Sequence, residues 1–482
     1  MKKRNIYRNQ SEEILSLFES AGDRNKVMCI PMDYAKKDHV VMFCSGNGDI
    51  LRKPFSVKNS LEGKNYLVDQ VKKSCRRRGI NRQHVFFGGE DCGAYADNFI
   101  AALRSDNWMV AGVNACDAKK HRDNKQASTD ILDLLGVCKM LLNCKGNCSP
   151  AQTGIYWNLR LLVRQRRKLV NIATGVKRRI HFIVDQIFPG FLDEKKSGIF
   201  PFSRGSLALM NDRFSVNQIC RRSRPTLSRF LNRNLVHHAD LCAEQLQKYA
   251  SQVLQPPAKH IAVLQLSLQQ QVKLFTCLQE NIQQLEKEIA EHLAQTSGAF
   301  LTSIRGIGVV LAAGVCAEIG DSDKQKSLSN LISYAGIIPR IKQTGGTQGK
   351  TQVKKVAKRC NRILKDYAVR SGYQIGINGP EELKLDYKRR SAQGQHADFG
   401  MSRRYLRMAM CLMRSSQTYL PKNLRNTTIP MKERAQYYLL TWPTLRDKWK
   451  IKGALEFAFD KDKPLGQWRN VVQVLYGIEL EL

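Results

Sequence analysis

Four carboxylates in the first third of the chain have the types and spacing that a metal-dependent nuclease site requires. They are Asp33, Glu90, Asp130 and Asp133. Carboxylate oxygens are preferred ligands of Mg²⁺, and paired Mg²⁺ ions promote phosphoryl transfer on nucleic acids. Any one of these acids alone is more commonly a solvated surface group. The ordered set is therefore what predicts a site for Mg²⁺, with two ions expected.

The surrounding pattern predicts how the acids are positioned. Three β-rich segments at 27–30, 38–43 and 50–57 are followed by a helix at 61–78, a strand at 84–87, a helix at 95–104 and a strand within 107–115. Asp33 and Glu90 then follow strands, and strand ends are where α/β sheets place functional groups. Asp130 and Asp133 are three residues apart in a helix-compatible segment, so both project from one face. The order of elements is ribonuclease-H-like.

The charge of the chain predicts a polyanionic partner. Lys and Arg total 78 against 42 Asp and Glu, a net charge of +36 with a pI near 9.8. Six basic runs occupy 72–82, 160–170, 176–181, 220–233, 350–362 and 388–390. A membrane surface is the electrostatic alternative, but neither a basic amphipathic membrane helix nor a lipidation motif is evident. Nucleic-acid contacts are expected from Arg160, Arg164, Arg166, Arg167, Arg178, Arg179, Arg340, Lys354, Lys355, Lys358, Arg359 and Asn361.

Length and composition predict a cytoplasmic protein with several cores. The 482 residues are 43% hydrophobic, enough to bury two or three cores. No apolar run approaches the roughly 20 residues of a membrane span, and the first residues lack an apolar signal-peptide centre. The 14 Cys are scattered singly, which favours reduced thiols. A zinc site is not expected, because Cys138, Cys144 and Cys148 lack a CxxC pair.

The middle of the chain is predicted to be helical and basic. A stretch at 156–188 ends at Pro189-Gly190, and a loop-rich break is expected at 191–206. Further on, apolar residues recur in steps of three and four with one polar break at Gln271: Ile261, Leu264, Leu268, Phe275, Leu278, Ile282, Leu285 and Ile289. Such a heptad seam favours a coiled coil. The seam is equally compatible with pairing inside the chain, as a helical hairpin, and with pairing between subunits.

A glycine turn opens the last third of the chain. Gly306 and Gly308 lie between two apolar segments that we interpret as helical, as in a helix-hairpin-helix, whose turn amides can hold a phosphate. Alone this is a weak signal, because tight turns between helices commonly use glycine.

The motifs taken in order resemble the DEDD transposases of the IS-one-ten (IS110) type, the bridge-RNA-guided recombinases. Their T-D-x-x-D string is matched at 129–133, and their C-terminal motifs are matched by RGIG at 305–308, YAGIIP at 334–339, TGG at 344–346 and AKRCN at 357–361. The likeness covers about 27–420. Departures include Leu134, where the family has alanine, and Cys360, where it has glycine.

This resemblance implies a fold, a mechanism and partners. It implies a RuvC-like domain holding Mg²⁺ on Asp33, Glu90, Asp130 and Asp133, and a mostly helical C-terminal domain carrying a nucleophile. The family's nucleophilic serine corresponds to Thr344, whose hydroxyl can attack phosphorus although its methyl crowds the approach. Thr347, Ser329 and Ser333 are neighbouring hydroxyls. The implied partners are donor and target double-stranded DNA, a structured guide RNA, and further copies of the chain in a dimer or tetramer.

The expected organisation has five parts. They are an N-terminal extension at 1–26, a RuvC-like catalytic domain at 27–150, a basic helical linker and coiled coil at 151–297, a transposase domain at 298–420, and an extension at 421–482 containing Trp442, Trp449 and Trp468. Two other functions stay open. One is a Holliday-junction resolvase or nuclease that hydrolyses DNA with the four acids alone. The other is a decayed transposase that binds nucleic acid without catalysis.

Overall fold

A computed structural model describes residues 10–90, 94–122, 129–148, 154–212, 214–254, 257–322, 327–338, 360–394, 396–415 and 419. The chain divides into two compact units, at 1–151 and 152–482. Across the described residues the fold is mixed α/β and mostly helical. Among the described helices, none combines the length and apolar character needed to cross a membrane.

The first unit is built on a five-stranded mixed sheet. Its strands are β1 Met28–Asp33, β2 Asp38–Ser45, β3 Ile50–Lys58, β4 Val85–Glu90 and β5 Met109–Val113, in the spatial order β3-β2-β1-β4-β5. β1 pairs antiparallel with β2 and parallel with β4, and β4 pairs parallel with β5. The helices are α1 Glu12–Ala21, α2 Leu61–Arg78, α3 Ala94–Ser105, α4 Ala115–Lys120 and α5 Asp130–Leu142, with 3₁₀ turns at Arg24–Lys26 and Arg82–His84.

Alternation along the strands gives this sheet two buried faces. Met28, Ile30 and Met32 pack with α2 and α3, whereas Cys29 packs with α5. β4 alternates in the same way, because Phe87 lies in the first core and Phe86 in the second. Successive strand residues point to opposite faces, so residues 29, 31 and 33 of β1 and 86, 88 and 90 of β4 face α5. That parity places the carboxylates at both strand ends on the α5 side.

The second unit is helical and contains two hydrophobic cores. Its helices are α6 Gly154–Ile187, α7 Glu194–Ser197, α8 Arg204–Asn211, α9 Val216–Arg221, α10 Arg224–Arg233, α11 Ala239–Ala250, α12 Ala258–Ala294, α13 Val309–Ile319, α14 Leu328–Tyr334, α15 Arg362–Asn378, α16 Glu381–Ala392 and α17 Ala397–Ser415, with a 3₁₀ helix at Ser297–Ser303. One core joins the C-terminal half of α6, α8–α11 and the first half of α12. The other joins the start of α6, the end of α12 and α13–α17.

The heptad seam of α12 packs against α6 of the same chain. Leu268, Phe275 and Leu278 are buried in the same core as the C-terminal half of α6, and Ile289 is buried in the other core. The two helices run antiparallel, since Arg166 pairs with Glu286 while Lys177 lies over the ring of Phe275. Of the two arrangements compatible with the sequence, the structure therefore forms the intramolecular helical hairpin.

Two local predictions differ from the structure. The segment 191–206, expected to be loop-rich, includes α7 and the start of α8, each begun by a side-chain cap from Asp193 or Ser203. The segment before Gly306 is a 3₁₀ helix and not an α-helix, so the turn joins a 3₁₀ helix to α13. Short capped helices leave too few residues for a periodic pattern to develop.

Candidate carboxylate site and its supporting network

Asp33 and Glu90 end neighbouring parallel strands. The register pairs Met32 with Gly89, so the next residue on each strand, Asp33 or Glu90, lies at the same edge of the sheet. Both side chains face α5 by the alternation of β1 and β4. Gly88 confirms this direction for β4, because a Cβ built there would lie 2.6 Å from the Leu141 side chain on α5.

The start of α5 carries the other two acids. Thr129 caps the helix by accepting a hydrogen bond from the Leu132 amide at 3.3 Å, and Asp130 and Asp133 occupy the first turn. Acidic side chains in a first helical turn interact favourably with the helix dipole. α5 packs across β1 through Leu134, Val137 and Leu141, and its N-terminus thus carries Asp130 and Asp133 to the strand ends.

Charges on α5 act on both strand-end carboxylates. Burial raises the pKa of Asp33, and the charges of Asp130 and Asp133 raise it further. Burial likewise raises the pKa of Glu90, with added effects from Asp133 and Asp33. These are the effects expected when like charges share a partly desolvated site. The structure therefore brings together the four acids singled out in the sequence.

The cluster has two features that bear on metal binding. Glu90 Oε1 is buried and has no hydrogen-bond partner among the described residues, so one oxygen is left for a further ligand. Within the described residues, however, no three His, Cys, Asp or Glu side chains are arranged to hold a metal ion as they stand. The donor set, which is all carboxylate, suits Mg²⁺. Closing it around an ion requires the carboxylates to move toward one another.

A cation that the sequence analysis missed lies inside the cluster. Arg122 is 8% exposed and pairs through its guanidinium with Asp133. Its charge also opposes the raised pKa values of Asp33 and Glu90. The sequence gives no signal for this role, because Arg122 is one of 78 basic residues and only the packing of α4 against α5 brings it to the acids.

A second buried carboxylate, Glu318, organises the C-terminal unit. Its side chain is fully buried at the end of α13 and accepts hydrogen bonds from Arg164 at 2.8 and 3.0 Å and from Asn361 at 2.7 Å. Asn361 also caps α15 and donates to the hydroxyl of Tyr334 at 2.8 Å. Burial alone would raise the pKa of Glu318, but the bonds from Arg164 and Asn361 and the charge of Arg160 hold it below its usual value. This network joins α6, α13, α14 and α15.

Several basic residues expected to contact nucleic acid are engaged internally. Arg160 donates to the carbonyls of Ala317 and Glu318, Arg166 pairs with Glu286, and Arg167 pairs with Asp366. Arg178 and Arg179 are instead exposed on α6. Among the partners of these arginines, the sequence carries a signal only for Glu318. It is the one acid in the apolar string of α13, and a carboxylate buried in such a string requires a hydrogen-bonding or charged partner.

The glycine turn presents an open helix N-terminus. Gly306 has a positive φ of 92°, which favours glycine, and Gly308 is the N-cap of α13 without a side-chain hydrogen bond. A Cβ at Gly308 would meet nothing within 4 Å. Backbone amides at such a terminus can approach a phosphate. Thr344, Thr347, Arg340, Lys354, Lys355, Lys358 and Arg359 lie outside the described residues, as do Trp442, Trp449 and Trp468, whereas Ser329 and Ser333 belong to α14.

Comparison with known proteins points to one family. Residues 30–189 match a model of the DEDD transposases of the IS110 type, and residues 298–375 match a model of the IS116/IS110/IS902 transposase family. The chain is 24% identical over 269 residues to an uncharacterised 44.8 kDa protein of insertion element IS116 from Streptomyces clavuligerus, covering 55% of this chain and 65% of that one. It is 30% identical over 106 residues to the transposase of insertion sequence IS1328 from Yersinia enterocolitica, covering 20% and 31%. The matched region is thus under two thirds of either relative.

Proposed function

We propose that this chain, which belongs to the IS110-type family of insertion-sequence transposases, cuts and rejoins DNA through a Mg²⁺-dependent site formed by Asp33, Glu90, Asp130 and Asp133. The observation that carries the proposal is the convergence of these four carboxylates at one sheet edge. They come from two parallel strands and one helix, all within the region that matches the DEDD transposase model.

We infer a RuvC-like fold for the first unit. Three antiparallel strands followed by two parallel strands, with helices on both faces, support this assignment. In such a fold the acids lie at the carboxyl ends of β1 and β4 and at the start of α5. The sheet and helix fix the carboxylates on rigid elements, which limits the reorganisation needed at the moment of reaction.

The carboxylates would supply the negative charge that holds Mg²⁺, with two ions expected. Bound Mg²⁺ would polarise the scissile phosphate and stabilise charge on the entering and leaving oxygens. Asp33 and Glu90 must be ionised for this, although burial raises the pKa of each. Glu90 offers an oxygen without a hydrogen-bond partner among the described residues, so its use as a ligand breaks no existing contact.

Thr344 is the proposed nucleophile. Its hydroxyl would attack the scissile phosphorus while the bond to one DNA oxygen breaks, giving a protein–DNA phosphodiester and a free DNA hydroxyl. That hydroxyl can later attack a phosphodiester and rejoin the strand to a second duplex. The network of Glu318, Asn361 and Tyr334 supports this assignment, because it fixes α14 and the start of α15, between which Thr344 lies in sequence.

We propose that a structured guide RNA selects the DNA sequence. The protein would hold donor and target DNA mainly through their phosphates. The reaction would take place in the bacterial cytoplasm. The net charge of +36, exposed Arg178 and Arg179, and the open terminus of α13 support backbone contacts that carry no sequence information. A dimer or tetramer would allow the acids of one copy to work with the hydroxyl of another.

The test is formation of a covalent adduct. Protein purified with its associated RNA is incubated with donor and target DNA in Mg²⁺ and analysed on a denaturing gel, with protease digestion and peptide mapping of the linkage. A Mg²⁺-dependent adduct at Thr344 supports the proposal. Cleavage without an adduct would indicate hydrolysis by the acids alone. Binding without cleavage would indicate a decayed transposase, and each of these two results would overturn the recombinase mechanism.

A further inference from the structure

Arg122 is a buried cation that the proposed chemistry does not use. Its side chain is 7% exposed, and its guanidinium pairs with Asp133, one of the four acids. A buried arginine at a nuclease-like site can stabilise the fold, bind the substrate or control metal binding. The contacts of Arg122 favour a role in metal binding.

Packing fixes Arg122 beside Asp133. Arg122 lies two residues after the end of α4, and its side chain packs against α5 at Gly136, about one turn after Asp133. A Cβ at Gly136 would lie 3.1 Å from Arg122 Cγ and 2.7 Å from the carbonyl oxygen of Ala118. Glycine at this position therefore allows α4 to approach α5 and the guanidinium to reach the acids.

The charge of Arg122 offsets part of the repulsion among the acids. Four carboxylates converge on one edge, and their mutual repulsion is only partly screened because Asp33, Glu90 and Asp133 are half-buried, although Asp130 is exposed. The charge of Arg122 acts against that repulsion at Asp33 and Glu90 as well as at Asp133.

We propose that Arg122 is the internal counter-cation of the carboxylate cluster, holding Asp133 in the metal-free protein and yielding that carboxylate when a divalent cation binds. Arg122 is thus a positioning residue that stabilises the empty site and weakens metal affinity. The inference rests on the proposed assignment of the four acids to a metal site. A divalent cation that binds Asp133 must therefore break the ion pair between Arg122 and Asp133, which lowers the affinity for the metal.

The experiment measures metal binding and unfolding separately from DNA chemistry. Mn²⁺ is titrated into the full-length protein by calorimetry, and thermal unfolding is followed with and without Mn²⁺. Arg122→Gln removes the charge but keeps most of the stem. We expect Mn²⁺ to bind about tenfold more tightly, which corresponds to about 1.4 kcal/mol, together with a lower metal-free melting temperature and a larger upward shift on adding Mn²⁺.

Two variants serve as controls. Lys64→Gln breaks another ion pair of the same unit, Lys64–Asp106 at 2.6 Å, whose lysine side chain is 11% exposed. It should lower the melting temperature without changing Mn²⁺ affinity. Arg122→Lys keeps the charge and should bind Mn²⁺ within about threefold of the wild type, by the same conversion of free energy to affinity.

The outcomes separate this inference from the metal-site proposal. If Asp33→Asn binds Mn²⁺ as the wild type does, the metal site is wrong, and this inference is wrong with it. If Asp33→Asn loses binding but Arg122→Gln binds Mn²⁺ equally or more weakly, only the role of Arg122 is refuted. Failure of Arg122→Gln to fold even in Mn²⁺ would make Arg122 a purely structural residue and would also overturn the inference.

Discussion

Replacing Glu318 with glutamine should lower the free energy of local unfolding in the second unit, by an amount that follows from the hydrogen bonds of Glu318. The carboxylate accepts two bonds from Arg164 and one from Asn361, at 2.7–3.0 Å, with its side chain fully buried. Hydrogen bonds to charged groups contribute about 1.5–3 kcal/mol each. Glutamine keeps one acceptor, and Arg164 is 42% exposed and can regain water. We expect a net loss of about 3 kcal/mol, the lower end for breaking a buried ion pair.

Hydrogen exchange followed by mass spectrometry measures this loss where it occurs. Amides of α13 and of the first turn of α15 should exchange about a hundredfold faster in Glu318→Gln, at about 1.4 kcal/mol per tenfold. Glu286→Gln is the matched control. Arg166 donates both of its bonds to a single oxygen of Glu286, which glutamine retains, so exchange there should change much less. Equal exchange in Glu318→Gln and the wild type, or equal effects in both variants, would refute the reasoning.

The ion pair of Glu318 with Arg164 also predicts that the stability of the wild type depends on pH. Because the folded protein holds the pKa of Glu318 below its usual 4.5, the stability from this carboxylate is fully present above that value and is lost as pH falls through the lowered folded pKa. The difference in exchange between wild type and Glu318→Gln should therefore stay constant from pH 7 to about pH 5 and shrink at more acidic pH. A difference that grew on acidification would contradict the assigned charge state.

The remaining predictions concern the proposed chemistry. Asp33→Asn and Asp130→Asn should each abolish strand cleavage with little change in nucleic-acid binding, as gel-based cleavage and binding assays would show, and wild-type cleavage in either would refute the metal assignment. Thr344→Ala and Thr344→Val should eliminate the covalent adduct whereas Thr344→Ser should retain it, and an adduct in the alanine variant would place the nucleophile elsewhere. Affinity for structured RNA should fall steeply as salt rises from 50 to 200 mM, a range over which phosphate contacts release counterions, and a flat response would contradict recognition through charge.

The sequence was most informative where local signals agree with packing. The helix predicted at 61–78 is α2 Leu61–Arg78, capped by Ser60 at its start and by left-handed Gly79 at its end. From β1 to β5 the first unit forms three strands, a helix, a strand, a helix and a strand in the predicted order, but α4 is an unpredicted helix between β5 and the predicted helix α5. Convergence of Asp33, Glu90 and the α5 acids could be predicted because strand parity and helix spacing set the direction of each side chain.

What the sequence left open depends on contacts between distant segments. A heptad seam specifies a stripe of apolar side chains and not the helix that covers it, so pairing of α12 with α6 in the same chain required the structure. Arg122 and Glu318 were missed for a related reason. Arg122 is an ordinary charged residue until the fold buries it beside Asp133. The apolar neighbours of Glu318 in α13 signal its burial, but only the fold shows that its partners are Arg164 and Asn361.

The paired helices α6 and α12 connect the two hydrophobic cores of the second unit along their full length. At about 1.5 Å per residue the two helices are about 50 and 55 Å long, and each begins in one hydrophobic core and ends in the other. A tilt of about 5° at one end of α12 would displace its other end by about 5 Å over that length. Because Arg164 on α6 donates two hydrogen bonds to Glu318 on α13, we expect a reorientation of α6 in one core to move α13 in the other.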